Sequence, residues 1–223
     1  ETNAGNGGGA NVGLRQANSK YVLYLDVDVE LNKATLEILY SYAKKLNDFS
    51  ILGPAIEGLN YKEKDFAEQG INEKVHSMNF ITGCALFFNM KALNEIGFFD
   101  EKIFLYYEEN DFYQKCENLK YDLFLIKNSY FYHSQKGDSS SAIYKSSEEK
   151  YQGYLVGGWH GQWSKFYYLK KYNGFLYSLI KCMPNLFINI LQLIFKCLIL
   201  SKKTKYLYFK IEGLISSILG LPS

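Results

Sequence analysis

The alternation of apolar and polar positions predicts strands and helices that alternate along the chain. Tyr21 to Leu25 is an unbroken run of β-forming residues without helical spacing, and it predicts a strand buried on both faces. Such strands are typical of parallel sheets whose faces are covered by helices. Further strands are predicted at Ser50 to Ile56, Met78 to Asn89 and Asp122 to Lys127. The pattern therefore predicts an α/β domain with a mostly parallel sheet sandwiched by helices.

The segments between these strands predict a loop and several helices. Asn3 to Ala10 is rich in glycine and predicts a loop, and Asn11 to Asn18 predicts a short helix that leads into the first strand. Lys33 to Leu46 carries apolar residues at helical spacing and predicts a longer helix. Met90 to Ile96 predicts a short helix that ends at a glycine, and Glu108 to about Leu119 predicts another.

The last third of the chain has a different pattern. Asn185 to Leu200 is apolar except for four polar residues that align as one stripe on a helix, and Lys181 continues that stripe. A second amphipathic pattern follows Lys202 to Lys205. Tyr151 to Tyr172 lies before both and contains two Trp and five Tyr. We expect an aromatic segment followed by two amphipathic helices.

These helices predict an association with a membrane surface. Amphipathic helices flanked by Lys are typical of segments that lie in the interface of an anionic bilayer, and aromatic rings favour its headgroup region. Pro184 and the polar stripe argue against a clean membrane-spanning helix. A helix buried in the protein core is the alternative.

Charge is distributed unevenly along the chain. The 223 residues carry a net charge of +2, but the segment from Trp163 onward contains nine Lys and one acidic residue, Glu212, and so carries +8. The remainder therefore carries −6. A basic tail on an acidic body favours an anionic partner. Because the lysines alternate with long apolar runs, a membrane is favoured over nucleic acid.

Two further features concern the cell compartment and the boundaries of the chain. The four cysteines are scattered without a Cys-x-x-Cys pair, so reduced thiols in the cytoplasm are expected. The sequence starts without Met, on residues that look like the end of a strand, and we expect a fragment whose beginning is missing. We place the α/β domain at residues 1–145 and the membrane-associating tail at residues 146–223.

Two carboxylates, Asp26 and Asp28, follow the first predicted strand directly. In open α/β sheets the ligand crevice lies at the carboxyl ends of the strands, so this pair is placed for chemistry. Two carboxylates one residue apart can share a divalent cation, since Mg²⁺ binds one or two protein carboxylates together with substrate phosphates. The alternative is a turn and helix cap, roles that Asp also favours.

A second acidic site contains Glu108, Glu109 and Asp111 in the first turn of a predicted helix. The helix macrodipole favours acids there, but three acids in four residues exceed what capping requires. Like charges raise one another's pKa, which suits one carboxylate to act as a general base near neutral pH. Farther along, His133 follows a strand end, where metal ligands and phosphate contacts gather.

The order of these motifs resembles the family 2 glycosyltransferases of GT-A fold, in particular their rhamnosyltransferase-like branch. The resemblance is carried by a succession of motifs between about Asn3 and Ser140: Asn-x-Gly, Leu-Asp-x-Asp-Val, Thr-Gly-Cys, Gly-Phe-Phe-Asp-Glu, Tyr-Glu-Glu-Asn-Asp-Phe and a late His. It implies a Rossmann-like GT-A domain with a C-terminal amphipathic helical appendage. The implied reaction is the inverting transfer of a sugar from a nucleotide diphosphate donor.

The resemblance also implies roles for individual residues. Asp26 and Asp28 correspond to the family's metal-binding Asp-x-Asp, and His133 corresponds to a late His that contacts the metal or the diphosphate. Glu109 falls on the position of the catalytic base, where the family more often has Asp, and Asp111 falls on the next acid of the motif. Asn11 and Gly13, together with Asp26 and Asp28, would contact the donor. The family's first strands, which hold the nucleotide base and ribose, precede Glu1.

The chemistry of such a transfer suits these residue types. A bound Mg²⁺ or Mn²⁺ neutralises the leaving diphosphate, and one carboxylate accepts the proton of the attacking hydroxyl. No nucleophile is required, and the sequence offers no candidate. We expect a lipid-linked or polysaccharide acceptor in bacterial cell-surface glycan synthesis, and a cytoplasmic protein at the inner face of the cell membrane.

Two other functions remain open at this stage. A haloacid dehalogenase-type phosphatase also has Asp-x-Asp after an apolar strand, with the first Asp as nucleophile, but it leaves the acids at Glu108 to Asp111 unexplained. A non-catalytic membrane-attached module is the third interpretation.

Overall fold

The computed structural model describes residues 3–46, 48–59, 74–133, 146–199, 201 and 203–223. The strands are β1 (Tyr21–Leu25), β2 (Val29–Leu31), β3 (Phe49–Ile56), β4 (Val75–Ser77), β5 (Ala85–Asn89) and β6 (Asp122–His133). The helices are α1 (Gly5–Gln16), α2 (Thr35–Ala43), α3 (Met90–Ile96), α4 (Glu108–Asn118), α5 (Ser147–Asn173), α6 (Phe175–Leu198) and α7 (Thr204–Ile218).

The described residues form two compact units. The sheet unit comprises the described parts of 10–99 and 112–133 and contains all six strands. The helical unit comprises 3–9, 100–111 and 146–223 and contains α5, α6 and α7. The predicted domain boundary at residue 145 lies at the edge of a segment outside the described residues, and it stays a prediction.

The sheet unit is a mixed sheet with strand order β1-β5-β3-β6-β2, and β4 also pairs with β6. Only the pairing of β3 with β6 is parallel, and the other described pairings are antiparallel. The expectation of a mostly parallel sheet is therefore wrong. An apolar run reports burial of both faces of a strand, but it carries no information about the direction of the neighbouring strand.

The strand at Tyr21–Leu25 forms as predicted, but it is not the buried centre of the sheet. β1 lies at one end of the strand order, and its residues are only partly buried. All five residues of β5 are buried, as are all but the last residue of β3. These two strands, and not β1, form the centre of the apolar core.

Helices cover both faces of this sheet, as the sequence predicts. Successive β5 side chains point to opposite faces because a strand has a period of two. Leu86 and Phe88 pack in a cluster with Leu14 of α1, Leu93 of α3 and residues of α4. Phe87 packs on the other face in a cluster that includes residues of α2. The sheet unit therefore has two apolar layers, one on each face.

The glycine-rich segment forms the first part of helix α1, although the sequence predicts a loop there. Gly5 adopts a left-handed φ of 74°, and a Cβ at this position would lie 2.1 Å from the carbonyl oxygen of Phe104. The Asn6 N–H donates to that same carbonyl at 2.9 Å. Glycine is unfavourable in a helix interior by about 1 kcal/mol relative to alanine, but here it permits a backbone approach that a side chain would block.

The helical unit has its own apolar core, which confirms the predicted C-terminal helical part. Phe166 of α5, Cys182 and Leu186 of α6 and Leu214 of α7 are buried together. α5 and α7 approach closely, since a Cβ at Gly213 would lie 2.2 Å from the carbonyl oxygen of Trp159. The hydroxyl of Ser217 also donates to the carbonyl of Trp163, at 2.9 Å.

Helix α6 begins at Phe175 and contains Pro184, whereas the sequence predicts a helix that begins after this proline. The residues before Pro184 are helical because they belong to the same core: Ser178 and Cys182 are buried, and the Ser178 hydroxyl donates to the carbonyl of Gly174 at 2.7 Å. Within the described part of the chain, α6 alone has the length and apolar composition to cross a membrane, a test that core helices of soluble proteins also pass.

Candidate active site

Asp26 and Asp28 lie in a tight turn between β1 and β2 of the sheet unit. The N–H of Val29 donates to the carbonyl of Asp26 at 3.2 Å, and the N–H of Asp26 donates to the carbonyl of Cys84 at 2.9 Å. The Tyr24 hydroxyl donates to Asp26 Oδ1 at 2.7 Å, which orients this carboxylate. Both aspartates are partly exposed. The pair therefore occupies a turn and also remains accessible to a ligand.

The backbone of His133 lies beside this turn. β2 and β6 are antiparallel neighbours, and Val29, the residue after Asp28, is in register with His133. The His133 side chain lies outside the described part of the structure, so its role as a metal ligand stays a prediction. The topology nevertheless brings the third proposed ligand to the strand end that carries the first two.

The two carboxylates are a donor set that fits a divalent cation of the Mg²⁺ type. Such an ion keeps several waters and is typically held by one or two protein carboxylates plus substrate phosphates. No group of three or more His, Cys, Asp or Glu side chains that could hold a metal occurs among the described residues. A metal at this turn would therefore depend on substrate oxygens or on residues outside the described set.

Asn11 does not have the role that the sequence predicts for it. Its side chain is completely buried, its amide nitrogen donates to the carbonyl of Phe99 at 3.0 Å, and its amide oxygen accepts from the Phe99 N–H at 3.1 Å. A side chain without exposed surface and with both ends bonded to the backbone is a structural link and not a donor contact. Gly13 lies on the exposed side of α1, and its predicted contact with the donor stays a prediction.

In the helical unit, the segment Tyr106–Asp111, called the acid turn below, leads into α4. Tyr106 and Tyr107 have φ angles of 63° and 71°, a left-handed conformation that is uncommon for bulky residues. Conformations of this kind cost about 1–3 kcal/mol each and persist only where the surroundings enforce them. The backbone before the acidic residues is therefore held in a strained conformation.

Helix α5 supplies the contacts that enforce this conformation. The Ser164 hydroxyl donates to the carbonyl of Leu105 at 2.9 Å, and the ring of Tyr107 packs against that of Tyr168. The ring of Tyr106 lies against two glycines of α5, because a Cβ at Gly157 would be 3.0 Å from its hydroxyl and one at Gly161 would be 3.4 Å from its ring.

The three acids of the acid turn occupy different environments. Glu108 is 3% exposed, and its Oε1 accepts a hydrogen bond from the Asn6 amide at 2.7 Å. Asp111 is 0% exposed, and its Oδ1 accepts from Lys171 at 2.5 Å and from the Tyr172 hydroxyl at 2.9 Å. Glu109, between them, is only partly buried. It is the acid of this turn that a substrate could reach.

Lys171 also binds a second carboxylate, Asp100. The two form an ion pair at 2.7 Å, and Asp100 also accepts from the Tyr167 hydroxyl at 2.9 Å and from the Lys102 N–H at 3.0 Å. We call the Lys171 contacts with Asp100 and Asp111, together with those of Tyr167 and Tyr172, the lysine clamp. It ties the end of α5 to both ends of the segment 100–111.

The pKa shifts of the clamp follow from burial and pairing. Burial raises the pKa of Asp100, but its bond to Lys171 and its other hydrogen bonds outweigh this and hold it below the usual value. Burial lowers the pKa of Lys171, but its bonds to Asp100 and Asp111 outweigh this and raise it. Burial and the neighbouring carboxylates raise the pKa of the Tyr167 and Tyr172 hydroxyls, which therefore remain donors.

These shifts define the pH range of the clamp. The stabilisation by Asp100 is present above its unfolded-state pKa and is lost as the pH falls through its lowered folded-state pKa. The stabilisation by Lys171 is present below its unfolded-state pKa and is lost as the pH rises through its raised folded-state pKa. Both contributions are complete at neutral pH.

Sequence reasoning did not identify the residues of the clamp or the role of Asn6. Asp100 belongs to the Gly-Phe-Phe-Asp-Glu motif, and this was the one signal that could have drawn attention to it. Lys171 counts in the sequence only as one charge of a basic tail, and it lies 60 residues from Asp111.

Comparisons with known proteins agree with the family resemblance. Residues 1–97 match the family model described as glycosyl transferase family 2. This segment contains Asp26 and Asp28 and ends before the acid turn. The match favours a transferase over a phosphatase for the Asp-x-Asp turn.

Two individual proteins are similar to parts of the chain. The low-salt glycan biosynthesis hexosyltransferase Agl10 of Haloferax volcanii is 28% identical over 130 residues, which cover 49% of this chain and 42% of that protein. A crystal structure of GalNAc-T7 with UDP, GalNAc and Mn²⁺ aligns with 73% of this chain and 37% of its own, at a TM-score of 0.49 and 14% identity. The chain thus spans less than half the length of each.

Proposed function

We propose that the protein is an inverting glycosyltransferase of the GT-A type in which Glu109 is the general base. It would transfer a rhamnose-like sugar or another hexose from a nucleotide diphosphate to a lipid-linked or polysaccharide acceptor in cell-surface glycan synthesis. The family match of residues 1–97 and the similarity to a hexosyltransferase support the class of reaction. The observation that carries the proposal is the division of labour in the acid turn, where two acids are buried in fixed bonds and one is accessible.

Accessibility separates Glu109 from its neighbours as a base. A general base must come within hydrogen-bond reach of the hydroxyl that it deprotonates. Glu108 and Asp111 are both buried and hold the acid turn through bonds to Asn6, Lys171 and Tyr172. Asp111 is therefore proposed to act by holding the turn, and Glu109 by accepting the proton.

The proposed cofactor is Mg²⁺ or Mn²⁺. Asp26 and Asp28 would hold it, with His133 as a further ligand, and the bound ion would supply positive charge that stabilises the leaving diphosphate. Tyr24 contributes by fixing the orientation of the Asp26 carboxylate through its hydroxyl. Asp28, Asp26 and Gly13 would also contact the donor.

We expect Glu109→Gln to lower kcat by on the order of a hundredfold or more, because the amide cannot accept the proton, with a small change in KM for the donor. The measurement is steady-state kinetics of the complete natural protein. Glu108→Gln is the matched control, since a glutamine oxygen can still accept the bond from Asn6. A larger loss of kcat in the folded Glu108→Gln variant would contradict the assignment.

We expect Asp28→Asn to remove most of the dependence of nucleotide binding on divalent cations, because the substitution removes a negative charge from the turn without changing its size. The test is calorimetric titration of the complete protein with UDP and with dTDP, in the presence and absence of Mn²⁺. Glu30→Gln, an exposed acid on the adjoining strand β2, is the control. If Mn²⁺ enhances nucleotide binding equally in Asp28→Asn and in the native protein, Asp28 is not a ligand.

We also propose that helix α6 places the protein on the cytoplasmic face of the cell membrane. Large apolar side chains recur along one side of this helix and are exposed: Leu176, Ile180, Met183, Phe187, Leu191, Ile194 and Leu198. Leu176 is 71% exposed and Leu198 is 78% exposed. Contiguous apolar surface of this kind marks interaction sites.

The chemistry of the surrounding residues favours anionic lipid as the partner of this surface. Lys181 and Lys196 lie on the same helix, and each amine lies over an aromatic ring, so their apolar stems can cover apolar surface while the charges reach headgroups. All four cysteines are free thiols, in accordance with a reducing compartment. This surface would bring the enzyme to a lipid-linked acceptor.

We expect the double variant Phe187→Glu, Ile194→Glu to lose flotation with liposomes that contain phosphatidylglycerol, because two charges interrupt the exposed apolar side. The control carries the same two charges at Asn185 and Gln192, which are exposed polar positions of α6. Flotation of the native protein should weaken with salt but persist, since apolar burial and Lys attraction act together. Equal flotation of both double variants would contradict the surface assignment, and resistance of the native protein to carbonate extraction would indicate a spanning helix.

A further inference from the structure

The proposal in this section concerns how the proposed base is held, and it rests on the function proposed above. Helix α5 and the acid turn belong to the same compact unit, and their contacts are specific rather than merely apolar. Each buried acid of the turn has a defined partner, and the strongest set of partners comes from the last turns of α5: Tyr167, Lys171 and Tyr172.

A completely buried Asp111 requires this partner. Burial of an unpaired carboxylate is costly because the charge loses its hydration, and pairing with a hydrogen-bonded cation restores the balance. The Lys171 amine is 2.5 Å from Asp111 Oδ1, and the Tyr172 hydroxyl donates to Asp111 Oδ1 and also to its backbone carbonyl at 3.2 Å. These three bonds fix the first turn of α4 in position and in rotation about its axis.

The rotation of that first turn decides which acid faces outward. Successive residues of a helix are separated by about 100° around its axis, so Asp111 and Glu109 cannot point the same way. Holding Asp111 against Lys171 therefore keeps Glu109 on a different and more accessible side. The strained φ angles of Tyr106 and Tyr107 show that this arrangement is enforced rather than adopted by default.

A second bond of Lys171 links the beginning of the same segment. Asp100 is 12 residues or fewer from every acid of the turn along the chain, and it binds the same amine at 2.7 Å. The segment 100–111 is thereby closed on one cation at both ends. A single charge that binds both ends of a segment restricts its movement more than either bond alone would.

We propose that Lys171 is a positioning residue for the transfer reaction, and that the C-terminal helices consequently form part of the catalytic unit as well as a membrane anchor. Lys171 would not contact the substrates. It would act through Asp111 and Asp100 by keeping the acid turn in the orientation that presents Glu109. The residue lies just before Gly174, at which α5 ends and the exposed helix α6 begins.

The test compares Lys171→Met, which keeps the apolar stem and removes the charge, with Lys171→Arg, which keeps a charged donor. Lys170→Met is the matched control, since it removes the same charge from the neighbouring position without touching the clamp. We expect Lys171→Met to lower kcat by on the order of a hundredfold, because a displacement of about 1 Å can cost that much, with KM for the donor changed much less. Lys171→Arg should recover most of the loss, and Lys170→Met should stay within about twofold of the native protein.

Hydrogen exchange of the peptide that contains residues 104–111 gives a readout independent of activity. We expect faster exchange in Lys171→Met than in Lys170→Met, with unchanged exchange in strands β3 and β5. If Lys171→Met does not fold, Tyr172→Phe decides the question, because it removes one hydroxyl bond to Asp111 and should lower kcat with little effect on KM.

The possible failures are distinguishable. If Glu109→Gln lowers kcat while Lys171→Met and Tyr172→Phe behave like Lys170→Met, the positioning role of Lys171 is overturned and the proposed function stands. If Glu109→Gln has no effect on kcat, the proposed function itself fails. Equal losses in Lys171→Met and Lys171→Arg, with unchanged hydrogen exchange of 104–111, would also overturn the positioning role.

Discussion

The contact between the Lys171 amine and the two carboxylates Asp111 and Asp100 is the interaction on which the candidate active site depends. Asp111 has no exposed surface, and a charge in that position is tolerated only because Lys171 and Tyr172 replace the water it has lost. Once this pair has formed, the first turn of α4 has one orientation. The accessible acid, Glu109, and the buried acid, Glu108, then differ in environment although they are adjacent in sequence.

Local patterns in the sequence predicted the elements that depend on local chemistry. The helix Met90–Ile96 has the predicted bounds, and α4 begins at the predicted Glu108, because apolar spacing and acids in a first turn are properties of a few consecutive residues. The direction of the strands was not predictable in the same way. β1 and β5 are antiparallel neighbours although their sequences read as buried runs of the kind found in parallel sheets.

The candidate site shows the same limit. The sequence identified Asp26, Asp28 and the three acids of the acid turn because each set is compact along the chain. It assigned Asn11 to the donor, whereas the fold places the Asn11 amide on the backbone of Phe99, 88 residues away. It could not assign Lys171 to Asp111, since that pairing is created by the packing of α5 and carries no local signal.

The C-terminal helices combine two kinds of surface on different elements. α5 presents hydroxyls, glycines and Lys171 to the segment 100–111, and α6 presents large exposed apolar side chains on one side. An anchor of this design would hold the base-bearing turn and the lipid-facing helix in one compact unit. An acceptor carried on a lipid would then meet the enzyme at the surface to which the enzyme itself binds.

The stereochemistry of the transfer tests the central claim most directly, because a base without a protein nucleophile requires a single displacement at the anomeric carbon. Proton NMR of the first-formed glycoside, recorded during turnover by the complete protein, reports the anomeric configuration before any equilibration. The account predicts a configuration opposite to that of the sugar in the nucleotide donor. Retention of the donor configuration would contradict the role of Glu109 as the general base of an inverting transfer.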